Sequence, residues 1–133
     1  MGGTTTEHRE LAARLQSARR VLVVDDHQGF RRCARALLTD AGFEVVGEAE
    51  TGAAAVSLAG EVEPQLVLLD VQLPDFDGFE VAKRLLAQDP ELKIVLVSSR
   101  DRMMYGSRIE SSGAIGFIPK GDLSRELIEE VLG

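Results

Sequence analysis

Two adjacent acids, Asp25 and Asp26, close the aliphatic run VLVVDD, and a third, Asp70, closes LVLLD. A further run, IVLVSS, ends in Ser98 and Ser99, and GAIGFIPKG carries Lys120 just past its apolar stretch. Runs of four or five aliphatic residues suit strands buried on both faces, which puts these polar groups at strand ends. Three carboxylates brought together repel one another and lose hydration, a cost that protonation or a bound cation removes. Hard oxygen donors that leave room for water suit magnesium. A carboxylate beside that ion can attack a phosphoryl group while the metal and a lysine neutralise charge on the phosphoryl oxygens. Asp70 is the candidate nucleophile. It stands alone, and the VQLPDFDG that follows places Pro74 and Gly78 in a turn able to bring backbone carbonyls near the metal.

A single Asp after a strand is commonly only a turn former or a helix cap. What gives these residues weight is their coincidence at the ends of several strands of one sheet. The strands are expected at Val21 to Val24, Glu44 to Ala49, Leu66 to Leu69, Ile94 to Val97 and Ala114 to Ile118. Between them lie segments of helical periodicity. Phe30, Cys33, Leu37 and Ala41 share a face that ends at Gly42, and Thr51 to Ala59 forms a small-residue helix stopped by Gly60. Phe79, Ala82, Leu85 and Leu86 give a third helix, ended by Asp89 and Pro90. A fourth is expected from about Arg100 to Ser111, and Leu123, Leu127, Ile128, Val131 and Leu132 mark a fifth. Regular alternation of strand and helix predicts an α/β fold: a doubly wound, five-stranded parallel sheet with five crossover helices. In such sheets the ligand crevice lies outside the carboxyl ends of the strands, where strand order reverses.

Before these units, residues 1–18 read as a small polar tail and a short amphipathic helix carrying Leu11, Leu15 and Ala18. Met1 to Thr6 fit a disordered terminus or a cloning remnant, and His8 a solvated side chain. Residues 19–133 then form one domain, within the capacity of a single core for a 133-residue chain. Twenty-two acidic residues against 15 basic ones give a formal charge of −7, which repels nucleic acid and anionic membrane. Direct nucleic acid binding by this chain is therefore not expected. With one cysteine, Cys33, no internal disulfide can form, and no segment has the length and apolarity of a membrane span. A cytoplasmic protein is the expectation.

VLVVDDH, LVLLDVQLPDFDG, IVLVSS and GAIGFIPKG, in this order from about Arg19 to the end, resemble the receiver domain of two-component response regulators, a flavodoxin-like fold. The stretches FEVVGEAETGAAAV and GAIGFIPKGDLSRELIEEVLG look most like receivers that precede a helix-turn-helix DNA-binding domain. No such domain follows here, which points to a stand-alone regulator or a piece of a longer one. The resemblance implies that Asp70 accepts a phosphoryl group from a sensor histidine kinase or a phosphotransfer protein. It implies magnesium held directly by Asp26, Asp70 and the Gln72 carbonyl, with Asp25 acting through water. Ser98 matches the switch hydroxyl, Lys120 the phosphate-binding lysine, and Phe117 the aromatic that changes rotamer on activation. Homodimer formation on phosphorylation is one implied route to output. The chain departs from the common pattern at Gly121, where many receivers carry proline, and at Ser99, where a smaller alanine is frequent.

Other residues have plainer readings. His27 follows the acids, but magnesium prefers oxygen and a helix-start position accounts for it. Cys33 reads as core. Met103, Met104 and Tyr105 fall in the fourth helix, where receivers often present their signalling face. The chain is expected to act as a switch that catalyses only its own phosphoryl transfer and dephosphorylation. One rival is a degenerate receiver that binds a protein partner without phosphorylation. Another is an aspartyl-phosphate hydrolase, but such enzymes generally carry a second acid two residues after the nucleophile, where Gln72 stands.

Overall fold

The computed structural model describes residues 19–133. The expected tail and helix of residues 1–18 lie outside the described residues. Five parallel strands, β1 (Arg20–Val24), β2 (Glu44–Ala49), β3 (Leu66–Asp70), β4 (Lys93–Ser98) and β5 (Gly116–Pro119), form one sheet in the order β2-β1-β3-β4-β5. The five helices are α1 (Gln28–Asp40), α2 (Gly52–Val62), α3 (Gly78–Gln88), the single turn α4 (Arg108–Ser111) and α5 (Arg125–Leu132).

Side chains alternate across the sheet and fill two cores. Leu22, Val24, Val67, Leu69, Ile94 and Leu96 face α2 and α3, packing on Ala55, Val81, Ala82 and Leu85. Val21, Val23, Leu68, Val95, Val97 and Ile118 face α1 and α5, packing on Ala34, Leu38 and Ile128. Burial on both sides is why these strands read as unbroken aliphatic runs rather than alternating ones. Each such side chain contributes about 1.5–3 kcal/mol of transfer free energy.

Local sequence sets the helix starts. Thr51 Oγ1 accepts from Ala54 N at 3.1 Å, Asp77 Oδ1 from Glu80 N at 2.8 Å and Ser124 Oγ from Leu127 N at 3.1 Å. α1 ends as expected, with Gly42 at φ +91°. α2 does not stop at Gly60 but continues to Val62, and Glu63 takes the left-handed cap at φ +48° before Pro64. Gly60 meets nothing that a Cβ would disturb, so a glycine there lowers helix propensity without ending the helix.

Three further expectations are corrected. Cys33 is exposed: the buried stripe of α1 is Arg31, Ala34 and Leu38, and position 33 lies about 100° from Ala34 around the helix. The expected fourth helix is broken. Arg102–Met104 form a 3₁₀ turn and only Arg108–Ser111 are α-helical, with Gly106 between them at φ +56°. β5 begins at Gly116 rather than Ala114, because the pairing with β4 starts at Val95↔Gly116.

Candidate functional site

β1 lies between β2 and β3, so the chain winds to one side of it and then to the other. The crevice outside the carboxyl ends of β1 and β3 is where the acids converge. Asp70 is the last residue of β3, paired with Val97, and is 2% exposed. Asp25 follows β1 and is fully buried, whereas Asp26 beside it is exposed. Lys120, just past β5, reaches across the sheet edge. Its Nζ lies 2.7 Å from Asp25 Oδ2 and 3.2 Å from Asp70 Oδ2.

Asp70 Oδ1 accepts from Gln72 N at 3.1 Å and Oδ2 from Lys120 Nζ. Asp25 Oδ1 accepts from His27 N at 2.8 Å. Asp25 Oδ2, closed off from solvent, has the Lys120 ammonium at 2.7 Å as its partner. One ammonium shared between two buried carboxylates leaves their charge incompletely balanced. Single ligand atoms of Asp25, Asp26, His27 and Asp70 all lie within 4.8 Å of one another. Clustered carboxylates that share a single ammonium fit a hard divalent cation such as magnesium. Asp26 and Asp70 are placed to hold it, with Asp25 beside them. Gln72, whose backbone is fixed by a bridge to Asp77, adjoins the same crevice.

Burial pushes the Asp70 carboxyl up to about 6 from the ordinary 3.8. The Gln72 amide opposes that rise, the Asp25 charge adds to it, and Lys120 opposes it again. For Lys120, burial works against the charged form, but the Asp25 and Asp70 carboxylates outweigh it and hold its pKa above the ordinary range. The lysine thus stays an ammonium and Asp70 is a reluctant anion.

Ser98 ends β4, fully buried, one residue past the partner of Asp70. Its Oγ lies 2.6 Å from Tyr105 Oη and accepts from Arg100 N at 3.0 Å. Ser99 is exposed. Phe117, on β5, is buried, and the Tyr105 ring sits between it and Phe79 at centroid distances of 5.9 and 5.5 Å. Met103 and Met104 stand out in solvent at 92% and 66% exposure.

The sequence reading missed two contributors, Arg31 and Asp75, and the partner of a third, Tyr105. Arg31, 7% exposed, donates from Nη1 to the Asp25 carbonyl at 2.7 Å and is held by Glu48 and Glu50 at 3.2 Å each. Its place in the i, i+3, i+7 stripe with Ala34 and Leu38 was the available signal. Asp75 accepts from Gly52 N at 2.7 Å and Ala53 N at 2.9 Å, tying the loop after Asp70 to the start of α2. Those backbone groups draw the Asp75 pKa below the ordinary carboxylate value. Tyr105 is the third, and nothing in local spacing pairs it with Ser98.

The family model for the response regulator receiver domain matches residues 21–132. This chain belongs to that family. The receiver is 35% identical over 113 residues to the response regulator GacA of Pseudomonas aeruginosa, covering 84% of this chain and 53% of GacA. It is 36% identical over 109 residues to the virulence factors transcription regulator BvgA of Bordetella pertussis, covering 82% and 52%. The chain thus spans about half the length of the curated relatives it matches. Among solved structures, the receiver domain of NarL from Mycobacterium tuberculosis superposes with a TM-score of 0.74 at 34% identity, covering 86% of this chain and 97% of that one. A two-component response regulator of the LuxR family from Aurantimonas sp. SI85-9A1 gives 0.79 at 27% identity, covering 87% and 84%. The receiver is therefore a two-component signalling domain whose relatives include transcription regulators. No helix among the described residues is long and apolar enough to cross a membrane.

Proposed function

We propose that this receiver accepts a phosphoryl group on Asp70 from a sensor histidine kinase or phosphotransfer protein and changes conformation to signal to a partner, a second copy or an output domain. The observation that carries this reading is the buried Asp70 carboxylate in contact with Lys120, beside the fully buried Asp25 that shares the same ammonium. Asp26, Asp70 and the Gln72 carbonyl would hold magnesium, with Asp25 acting through water. The ion would supply charge neutralisation at the phosphoryl oxygens.

An Asp70 carboxylate oxygen attacks phosphorus, and the bond from phosphorus to the donor nitrogen breaks with its electron pair leaving on nitrogen. Burial raises the basicity of the Asp70 carboxylate and strips it of water, which strengthens it as a nucleophile. Lys120, held between Asp25 and Asp70, moves onto the phosphoryl oxygens. Ser98 exchanges Tyr105 for the phosphoryl group, and Phe117 and Tyr105 repack. The only chemistry assigned to the chain is its own phosphoryl transfer and the hydrolysis of its acyl phosphate. With Asp25, Asp26, Asp70, Ser98 and Lys120 all present, a phosphorylation-independent binding module is not favoured.

The test is intact mass after incubation with acetyl phosphate and magnesium. One phosphoryl adduct is expected, lost without magnesium and absent in Asp70→Asn. An adduct that persists in Asp70→Asn, or that maps to a serine or threonine, would refute the assignment.

A further inference from the structure

Arg31 sits in the buried stripe of α1 with Ala34 and Leu38, where an apolar side chain would lose less hydration. Its guanidinium is divided among three partners. Nη1 donates to the Asp25 carbonyl at 2.7 Å, Nε to Glu48 Oε1 at 3.2 Å and Nη2 to Glu50 Oε1 at 3.2 Å. Glu48 is itself held by Arg35 at 2.7 Å. The two glutamates lie on β2 and just past it, so the planar fork is braced from the edge strand while one arm points at the residue after β1. Asp25 N already donates to Ala49 O at 3.0 Å, and Arg31 fixes the same residue on its carbonyl side. That carbonyl belongs to the peptide between Asp25 and Asp26, and its orientation sets where both side chains start. The Asp25 carboxylate in turn holds Lys120 Nζ at 2.7 Å, within 3.2 Å of Asp70 Oδ2.

We infer that Arg31 is a positioning residue for phosphoryl transfer at Asp70. It clamps the peptide between Asp25 and Asp26, and so fixes these acids and Lys120 around the acceptor without touching substrate or metal itself. The inference rests on the function proposed above and adds a residue to it. Stability alone does not account for an arginine here. Methionine at this position would fill a similar volume, and the side chains of Glu48 and Glu50 are 30% and 72% exposed, so neither acid requires a buried cation. What arginine supplies and methionine does not is a directed donor to the Asp25 carbonyl. Loss of a partner that stands behind a ligand weakens a site by on the order of tenfold, because the ligand is no longer held in one direction.

The experiment uses the full chain and compares Arg31→Met, Arg31→Lys, Ala34→Gly and Asp26→Asn with wild type. The readouts are magnesium affinity by calorimetry, the initial rate of adduct formation from acetyl phosphate at magnesium below the wild-type dissociation constant, the metal-free amide spectrum and a thermal melt. Ala34→Gly weakens the same helix and leaves the bonds of Arg31 in place. Arg31→Met is expected to lose on the order of tenfold in magnesium affinity and in rate, with the metal-free amide signals of Asp26 and His27 displaced. Arg31→Lys keeps the charge without the fork and should stay impaired. Ala34→Gly should melt lower than wild type and keep its magnesium affinity and rate. Wild-type affinity and rate in Arg31→Met, or in Arg31→Lys should the methionine variant not fold, would overturn the inference while Asp26→Asn still weakens magnesium. A loss in Ala34→Gly as large as in Arg31→Met would trace the effect to helix stability and overturn it as well. Magnesium affinity indifferent to Asp26→Asn would refute the metal site itself, and the role of Arg31 with it.

Discussion

Ser98 Oγ and Tyr105 Oη lie 2.6 Å apart, so the hydroxyl at the end of β4 is held by an aromatic ring from the segment that carries Met103 and Met104. The ring packs on Phe117 and Phe79. A Ser98 hydroxyl that donates to Tyr105 cannot also donate to a phosphoryl group on Asp70. Tyr105→Phe keeps the ring packing and removes the hold. The variant should lose about 1 kcal/mol of stability in the unphosphorylated state. It should also reach the beryllofluoride-bound conformation at lower beryllofluoride concentration, read from amide spectra of residues 101–111. An unchanged titration midpoint would mean that Tyr105 does not restrain Ser98.

Local pattern carried most of the fold and missed tertiary partnerships. The strands were legible because burial on both faces makes them nearly pure aliphatic, and Asp25, Asp26, Asp70, Ser98 and Lys120 because each stands at the end of a strand or just beyond it. The fourth helix was not legible. Arg102, Ile109 and the residues between them have helix-compatible types, but Gly106 at φ +56° and the tie of Tyr105 to Ser98 break the run. Cys33 was misplaced because Arg31, a residue usually solvated, takes the buried stripe instead and spends its hydrogen bonds on the Asp25 carbonyl, Glu48 and Glu50. A buried arginine is justified only by partners distant in sequence, which periodicity does not reveal.

Gly78 begins α3 directly beneath Asp70. A Cβ there would collide with the Asp70 carbonyl oxygen and come within 2.6 Å of Val71 Cα, both backbone atoms that cannot swing aside. Gly78→Ala should cost on the order of 1–3 kcal/mol and displace the end of β3. The measurement is a denaturant melt together with the rate of adduct formation from acetyl phosphate. A variant as stable and as reactive as wild type would mean that the strand end has slack the packing does not suggest.

Asp75 caps the start of α2 from the loop that carries Gln72. Asp75→Ala leaves two backbone amides without this partner and frees the loop. Magnesium affinity should fall more than global stability does, because Gln72 is held by the same loop while both cores are untouched. Calorimetric magnesium titration of the variant beside its thermal melt separates the two effects. Unaltered magnesium affinity with a lowered melting temperature would assign Asp75 to helix capping alone.

The raised Asp70 pKa makes a signed prediction about pH. With a folded value of about 6 against an ordinary 3.8, the folded metal-free chain holds the Asp70 proton more tightly than the unfolded chain does. That contribution is fully present below about pH 3.8 and is lost as pH rises through about 6. Its size corresponds to on the order of 3 kcal/mol. Asp75 and Glu110, both drawn downward, contribute with the opposite sign toward the acid end of the range, so the wild-type curve alone does not isolate Asp70. Asp70→Asn removes this one titration and leaves the rest. The metal-free variant should therefore be more stable than wild type at pH 7, and the difference should shrink toward pH 4. Magnesium at a hundred times its dissociation constant should add about 2.7 kcal/mol to the wild type at pH 7. It should add less at pH 4, where protons compete for the same oxygens, and less to Asp70→Asn at either pH. Thermal melts of both proteins at pH 4 and pH 7, with and without magnesium, supply all the comparisons. A stability difference between Asp70→Asn and wild type that is the same at both pH values would mean that Asp70 titrates as an ordinary solvated carboxylate, and its burial against Asp25 and Lys120 would not be the source of its reactivity.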